Sequence, residues 1–169
     1  MKIVISEIPD EGIELELAEN ITANEIRITS QVKGFLKIDK AETEVMAQGA
    51  IDTDVELQCG RCLKNFILPL KNSVSVVYHP VEEVIGEETH ELKDDELETG
   101  FYRNGVLDTD DLIREQILLA LPMKPLCSAD CKGLCPKCGA DLNLVKCNCE
   151  TKEIDPRLAV LKQLLDRKE

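Results

Sequence analysis

Apolar and polar positions alternate along residues 2–78, the pattern of strands that bury one face. Ile13, Leu15 and Leu17 stand against Glu14 and Glu16. From Glu25 to Asp39, Ile26, Ile28, Val32, Leu36 and Ile38 take one parity, and Glu25, Arg27, Gln31, Lys33 and Lys37 take the other. Gly34 falls on the apolar parity, where a missing side chain predicts a bulge or a bend. A second run puts Val45, Ala47, Ile51, Val55 and Leu57 on odd positions and leads into Cys59-Gly-Arg-Cys62. A third, Asn65 to Tyr78, alternates through Phe66, Leu68 and Leu70 and continues with Val74, Val76 and Tyr78; Pro69 inside it predicts an edge position or a break. Three long strands with short connections predict an antiparallel meander or an open barrel, with the first cysteine pair in the turn between the second and third strands.

The pattern changes after Tyr78. Residues 80–99 carry Glu82, Glu83, Glu87, Glu88, Glu91, Asp94, Asp95, Glu96 and Glu98 against Lys93 alone. Such a block reads either as a solvated loop or as a docking strip for a basic protein surface. Phe101 to Asp108 reads as a short return strand turning at Asn104-Gly105. Asp108-Thr-Asp-Asp then opens a helix over 108–121, with carboxylates at the positive end of its dipole. Leu112, Ile113, Ile117, Leu118, Leu119 and Leu121 are its expected buried face, and Pro122 stops it. A last helix is expected from Asp155-Pro156, with a stripe of Leu158, Val160, Leu161, Leu164 and Leu165. The expected fold is α+β: an antiparallel sheet or open barrel with a packed helix over residues 1–122, then a zinc-knuckle module and C-terminal helix over 123–169.

Composition changes that picture in two ways. The formal net charge is −13, which repels phosphate backbones and favours basic partners. Three Phe, two Tyr and no Trp leave few platforms on which single-stranded nucleic acid could stack. The N-terminal apolar run is too short for a signal peptide, and no stretch reaches the roughly 18–20 apolar residues of a membrane span. A soluble, cytoplasmic protein is expected, where a disulfide framework is disfavoured.

Six of the eight cysteines fall in residues 127–149, as Cys127, Cys131, Cys135, Cys138, Cys147 and Cys149; Cys59 and Cys62 stand far upstream. Eight cysteines in short-spaced pairs supply two closed tetrahedral thiolate sites. Cys135-Pro-Lys-Cys138-Gly139 has the form of a zinc knuckle, in which the glycine turns with positive φ and its amide points back at a sulfur. Local closure groups Cys135, Cys138, Cys147 and Cys149 as one zinc site and leaves Cys59, Cys62, Cys127 and Cys131 as the second. The alternative joins Cys59 and Cys62 to Cys135 and Cys138, leaving Cys127, Cys131, Cys147 and Cys149; the entropic penalty for longer loops grows slowly enough to keep it open. Four thiolates suit an iron–sulfur cluster as well. Eight unrelated buried thiols in these spacings would be a coincidence, and neither C-x-x-C pair opens a helix in a βαβ unit as a redox motif does.

A catalytic metal keeps an open position beside a base. The two histidines offer little for that role: His79 follows a strand, and His90 lies in the acidic stretch. No deaminase, metalloprotease, phosphate-loop or Ser/His/Asp pattern is present. Closed structural sites and a non-enzymatic role are therefore expected.

Cys59-Gly-Arg-Cys62, Ile117-Leu-Leu-Ala-Leu-Pro-Met-Lys-Pro125, Cys131-Lys-Gly-Leu-Cys-Pro-Lys-Cys-Gly-Ala-Asp-Leu-Asn143 and Asp155-Pro-Arg-Leu-Ala-Val-Leu-Lys-Gln-Leu164 together resemble the bacterial YceD family. The resemblance runs over about residues 45–168 and is most specific in the C-terminal half. It implies a part in keeping or maturing the large-subunit ribosomal RNA, and no assigned catalytic activity. With that implication, the acidic charge points to a ribosomal protein or a large-subunit assembly intermediate as partner. Lys124, Lys132, Lys137, Lys146 and Arg157 offer limited rRNA contact, offset by Asp130, Asp141, Glu150 and the thiolates. Two rival classes are a zinc-dependent RNA-processing enzyme using His79 and a redox or metal-sensing module.

Overall fold

The computed structural model describes residues 1–23, 26–81 and 99–149. They form eight strands and one α-helix: β1 (Lys2–Val4), β2 (Ile13–Glu19), β3 (Arg27–Ile28), β4 (Val32–Ala41), β5 (Glu44–Gln58), β6 (Asn65–Pro80), β7 (Thr99–Tyr102), β8 (Val106–Asp108) and α1 (Thr109–Leu119). The chain divides into two compact units, Met1–Leu57 with Asn65–Pro125, and Gln58–Lys64 with Leu126–Glu169. The acidic residues 82–98, with His90, and the expected helix from Asp155 lie outside the described residues.

In the first unit the main sheet has the order β2-β4-β5-β6-β7, with β3 beside β5, and β1 pairs β8 in a separate ladder. The three long alternating runs are its centre. Val32, Leu36 and Ile38 of β4, Val45, Ala47, Ile51 and Val55 of β5, and Leu70, Val74 and Tyr78 of β6 turn their side chains inward. Leu112, Ile113 and Ile117 of α1 join that core, and the helix packs on β6 and β1. Burying an Ile or Leu in this way stabilises by roughly 1.5–3 kcal/mol each. The N-terminus is held to the helix start: Thr109 donates from its amide and its hydroxyl to the Met1 carbonyl, at 2.9 and 2.8 Å.

Several expectations are corrected. The described part of the run from Glu25 to Asp39, residues 26–39, is two strands, because Thr29 and Ser30 turn their hydroxyls onto β5: Thr29 Oγ1 donates to the Asp54 carbonyl (3.1 Å), and Ser30 Oγ accepts from the Asp54 amide (2.8 Å). Side-chain bonds of this kind compete with the ladder and split it. Gly34 makes no bulge; the β4–β5 register runs without interruption from Lys33↔Asp52 to Ala41↔Glu44. Its role is close approach, since a Cβ there would sit 2.0 Å from the Ala50 carbonyl oxygen. Pro69 makes no break. β7 meets β6 only from Val77 to Pro80, so at Pro69 the strand is an edge on that side among the described residues, the kind of position that tolerates proline.

The sheet is also mixed. β7 runs parallel to β6, Val77↔Thr99 to Pro80↔Tyr102, and no ladder joins β2 to β7 among the described residues. Phe101–Asp108 is two strands in two sheets. Asn104 (φ +53) and Gly105 (φ +66) take the positive angles that a tight turn of this type requires. On α1, Asp108 accepts from the Asp110 amide as the expected cap (3.1 Å), but Leu119 is 77% exposed and leaves the predicted buried face.

Candidate metal centre

The loop between β5 and β6 and the chain from Leu126 make up the second unit. Two tight turns organise it, and they share one hydrogen-bond pattern. In the first, the Cys59 amide donates to the Lys64 carbonyl (2.9 Å) and the Leu63 amide to the Cys59 carbonyl (3.0 Å). In the second, the Cys135 amide donates to the Ala140 carbonyl (2.8 Å) and the Gly139 amide to the Cys135 carbonyl (2.9 Å). The residue after each C-x-x-C is left-handed, Leu63 at φ +59 and Gly139 at φ +72. The positive φ expected of Gly139 is present, but its amide serves a carbonyl and not a sulfur.

These turns present their thiols to partners from the later chain. The sulfurs of Cys59, Cys62, Cys127 and Cys131 lie within 4.8 Å of one another, and so do those of Cys135, Cys138, Cys147 and Cys149. Cys59 and Cys131 are 3.8 Å apart and Cys62 and Cys127 3.6 Å. The groups are those of local closure, and the alternative that joins Cys59 and Cys62 to Cys135 and Cys138 is not formed. In the first set Cys59, Cys62 and Cys131 are buried; in the second only Cys135 is. Both sets are positioned to bind metal ions.

The backbone prepares one sulfur of each set for charge. The amides of Cys127 and Cys62, in that order, bring the Cys59 thiol down to about 6. Those of Cys138 and Lys137 bring Cys135 down to about 6. Cys127 is pushed up to about 12, chiefly by the neighbouring Cys62 thiol, and Cys149 to about 12, chiefly by Cys138. Four sulfurs this close ionise together only around a cation, which lowers the cost of every thiolate at once.

Other residues tie the unit together, and the spacing of the cysteines gave no sign of them. Arg61 Nη1 donates to the carbonyls of Cys131 (2.8 Å) and Ala129 (3.3 Å), and the Arg61 carbonyl accepts from the Leu134 amide (3.1 Å). Lys64 pairs with Asp141 at 2.8 Å, which holds that carboxyl below the usual range. The Asn143 amide and side chain both donate to Asp141 Oδ1 (2.9 and 2.7 Å), a turn that Asp-x-Asn signals once its neighbours are known. Lys132, Lys137 and Lys146 are exposed in this unit, Lys124 belongs to the first unit, and Arg157 lies outside the described residues. His79 lies on β6 of the first unit, 3.9 Å from Glu44; among the described residues neither cysteine group contains a histidine or a carboxylate.

The two left-handed glycines of this unit should respond differently to substitution. Gly133 (φ +75) faces the Arg61 carbonyl oxygen, which an added Cβ would meet at 2.9 Å, whereas nothing lies within 4 Å of a Cβ at Gly139. Leu63 shows that a side chain can occupy the equivalent turn position. Gly139→Ala is expected to cost about 1–2 kcal/mol, the left-handed penalty alone, and Gly133→Ala distinctly more. Chelator titration of the two variants checks the order.

Among the described residues no helix is long and apolar enough to cross a membrane. Comparison with known proteins gives a consistent set of relatives. The uncharacterized protein YlbN of Bacillus subtilis is 27% identical over 160 residues, covering 92% of this chain and 86% of its own length. The uncharacterized protein Rv2926c of Mycobacterium tuberculosis is 28% identical over 130 residues, covering 77% of this chain and 60% of its own. An Arabidopsis thaliana protein described as large ribosomal RNA subunit accumulation protein YCED homolog 1, chloroplastic, is 24% identical over 160 residues, covering 77% of this chain and 50% of its own. This chain therefore spans 86% of the first relative but only 60% and 50% of the other two. No solved structure matches it at a significant level. The model of the family described as large ribosomal RNA subunit accumulation protein YceD matches residues 47–165, which include both C-x-x-C turns and every cysteine of the two clusters, and the chain belongs to that family.

Proposed function

We propose that this protein is a non-enzymatic, zinc-clasped factor of the cytoplasm that supports accumulation of large-subunit ribosomal RNA and works mainly through protein contacts. The observation that carries the reading is the donor set: among the described residues, each cluster consists of four cysteines with no histidine or carboxylate. A tetrahedral ion held by four thiolates keeps no position for water or substrate. Zinc–sulfur bonds of about 2.3 Å place tetrahedral sulfurs about 3.8 Å apart, which agrees with the 3.8 and 3.6 Å separations in the first cluster. A multi-iron cluster, itself several ångström across, would hold its thiolates farther apart. Cys59, Cys62, Cys127 and Cys131 would hold one zinc, and Cys135, Cys138, Cys147 and Cys149 the other. Bound there, zinc supplies cross-linking and charge neutralisation. The Cys59 and Cys135 turns supply two ligands each and the amides that stabilise their thiolates.

Family membership supplies the link to ribosomal RNA, and the name of the Arabidopsis relative points the same way. The formal net charge of −13 favours a basic ribosomal protein or an assembly intermediate as the main contact. The exposed Lys132, Lys137 and Lys146 leave room for a few phosphate contacts. Binding of the zinc-loaded protein to purified large-subunit rRNA at 50 and 200 mM salt tests this. A protein making 6–10 phosphate contacts would lose about 10³–10⁵ in affinity over that range; here the rRNA affinity is expected to be weak and the loss to stay under about tenfold. Tight binding with the steep slope, or rRNA cleavage by the pure protein, would overturn the reading.

A further inference from the structure

We infer that the two cysteine clusters are energetically coupled, and that Asn143 is the residue through which the second tightens the first. The inference rests on the proposal that both clusters bind metal. Asn143 belongs to the loop between Cys138 and Cys147, which the ligands of the second cluster bracket on both sides. Its side-chain amide nevertheless donates to a sulfur of the first, Cys131 Sγ, at 3.5 Å. Its side-chain oxygen accepts from the Lys132 amide at 2.8 Å, next to that same cysteine.

The rest of the loop is anchored on the first cluster's chain in the same way. The Leu142 amide donates to the Gly133 carbonyl (2.9 Å), Leu134 and Asp141 form a β-bridge, and Asp141 pairs with Lys64, two residues beyond Cys62. An N–H donor to a metal-bound thiolate draws off negative charge and fixes the ligand's orientation, and outer-shell partners of this kind typically account for 10–100-fold in metal affinity. When Cys147 and Cys149 are not engaged, residues 139–146 lose the tether on their C-terminal side, and the ordering of Asn143 is left to its turn with Asp141 and its bonds to the first cluster's chain. Loading the second site therefore assembles part of the first site's surroundings. Reciprocity then requires the first site to tighten the second by the same factor.

The test measures zinc affinity of the first site by competition with a chromophoric chelator in the full chain. Four proteins form a cycle: the parent, Cys147→Ser/Cys149→Ser, Asn143→Ala, and the combination. Disabling the second site is expected to weaken the first about tenfold, Asn143→Ala to weaken it by a similar factor, and the combination to add little to either. Asn143→Asp separates positioning from mere shape: it keeps an acceptor for the Lys132 amide but sets a carboxylate oxygen against the thiolate, and is expected to be worse than alanine. First-site affinity indifferent to loss of the second site, losses that multiply, or rescue by Asp would each overturn the coupling. If the parent binds fewer than two zinc ions, the metal reading itself fails; two ions bound independently would leave that reading standing and remove only this inference.

Discussion

A strong chelator is expected to remove two equivalents of zinc and to unfold the cysteine-rich unit while the sheet of the first unit survives. The reason lies in what is buried where. Among the described residues, the apolar core, from Ile3 to Ile117, belongs to the first unit. In the second, the buried apolar side chains among the described residues are cysteines: Cys59, Cys62, Cys131 and Cys135. Segments this short rarely fold without metal or disulfides, and structural zinc supplies about 10–16 kcal/mol in comparable small modules. Amide exchange read residue by residue would show residues 131–144 losing protection on chelation while Val45, Ala47 and Leu112 keep theirs. Cys62→Ser should lower the metal content from two to one. Retention of protection at Cys131 and Leu134 after full metal removal would show that the unit stands without its ions.

Gly34→Ala should be the most damaging single-methyl change in the sheet. A Cβ at Gly34 would lie 2.0 Å from the Ala50 carbonyl oxygen and 3.0 Å from the Ala50 carbonyl carbon, and the backbone there has φ +153. The obstacle is backbone of the neighbouring central strand, which has no flexible end to swing aside. The constraint is mutual: a Cβ at Gly49 would lie 2.0 Å from the Phe35 carbonyl oxygen. A loss of about 3 kcal/mol or more is expected, roughly 12 °C or more in Tm for a domain of this size. Gly105→Ala is the control, since it has φ +66 with nothing within 4 Å of the new Cβ, and it should cost only about 1–2 kcal/mol. Equal Tm losses for the two would show that the strands part easily at Gly34.

Period-two alternation carried β4, β5 and β6 because each keeps one face in the core over its whole length, so Val32, Val45 and Val74 announce themselves. What alternation could not reveal is pairing. β7 lies parallel to β6 across a long connection, and nothing in Thr99–Tyr102 encodes that partner. The split at Thr29–Ser30 was hidden for a different reason: hydroxyls that can fit a strand also bond sideways to a neighbour, here Asp54, and only the neighbour decides. The grouping of the cysteines was legible because short loops close at low entropic cost. The residues that brace them were not. Arg61 and Asn143 act through a carbonyl and a sulfur that come into range only after folding, and Leu63 holds a left-handed turn position with a side chain that gives no hint of it.

The wide span of the first cluster has a consequence for the order in which a growing chain can be completed. Cys59 and Cys131 are 72 residues apart, and Cys62 and Cys127 are 65, whereas the second cluster lies within residues 135–149. Closing the longer loop costs roughly 1–2 kcal/mol more than the shorter, but the larger difference is one of timing. Cys59 and Cys62 emerge during translation with their partners unsynthesised, and must wait as free thiols on a hairpin until residue 131 has been made. An ion seated in the first cluster therefore certifies that synthesis has passed Cys131 and that the β5–β6 connection has turned correctly, so a truncated or misfolded chain would be left with exposed, oxidisable thiols.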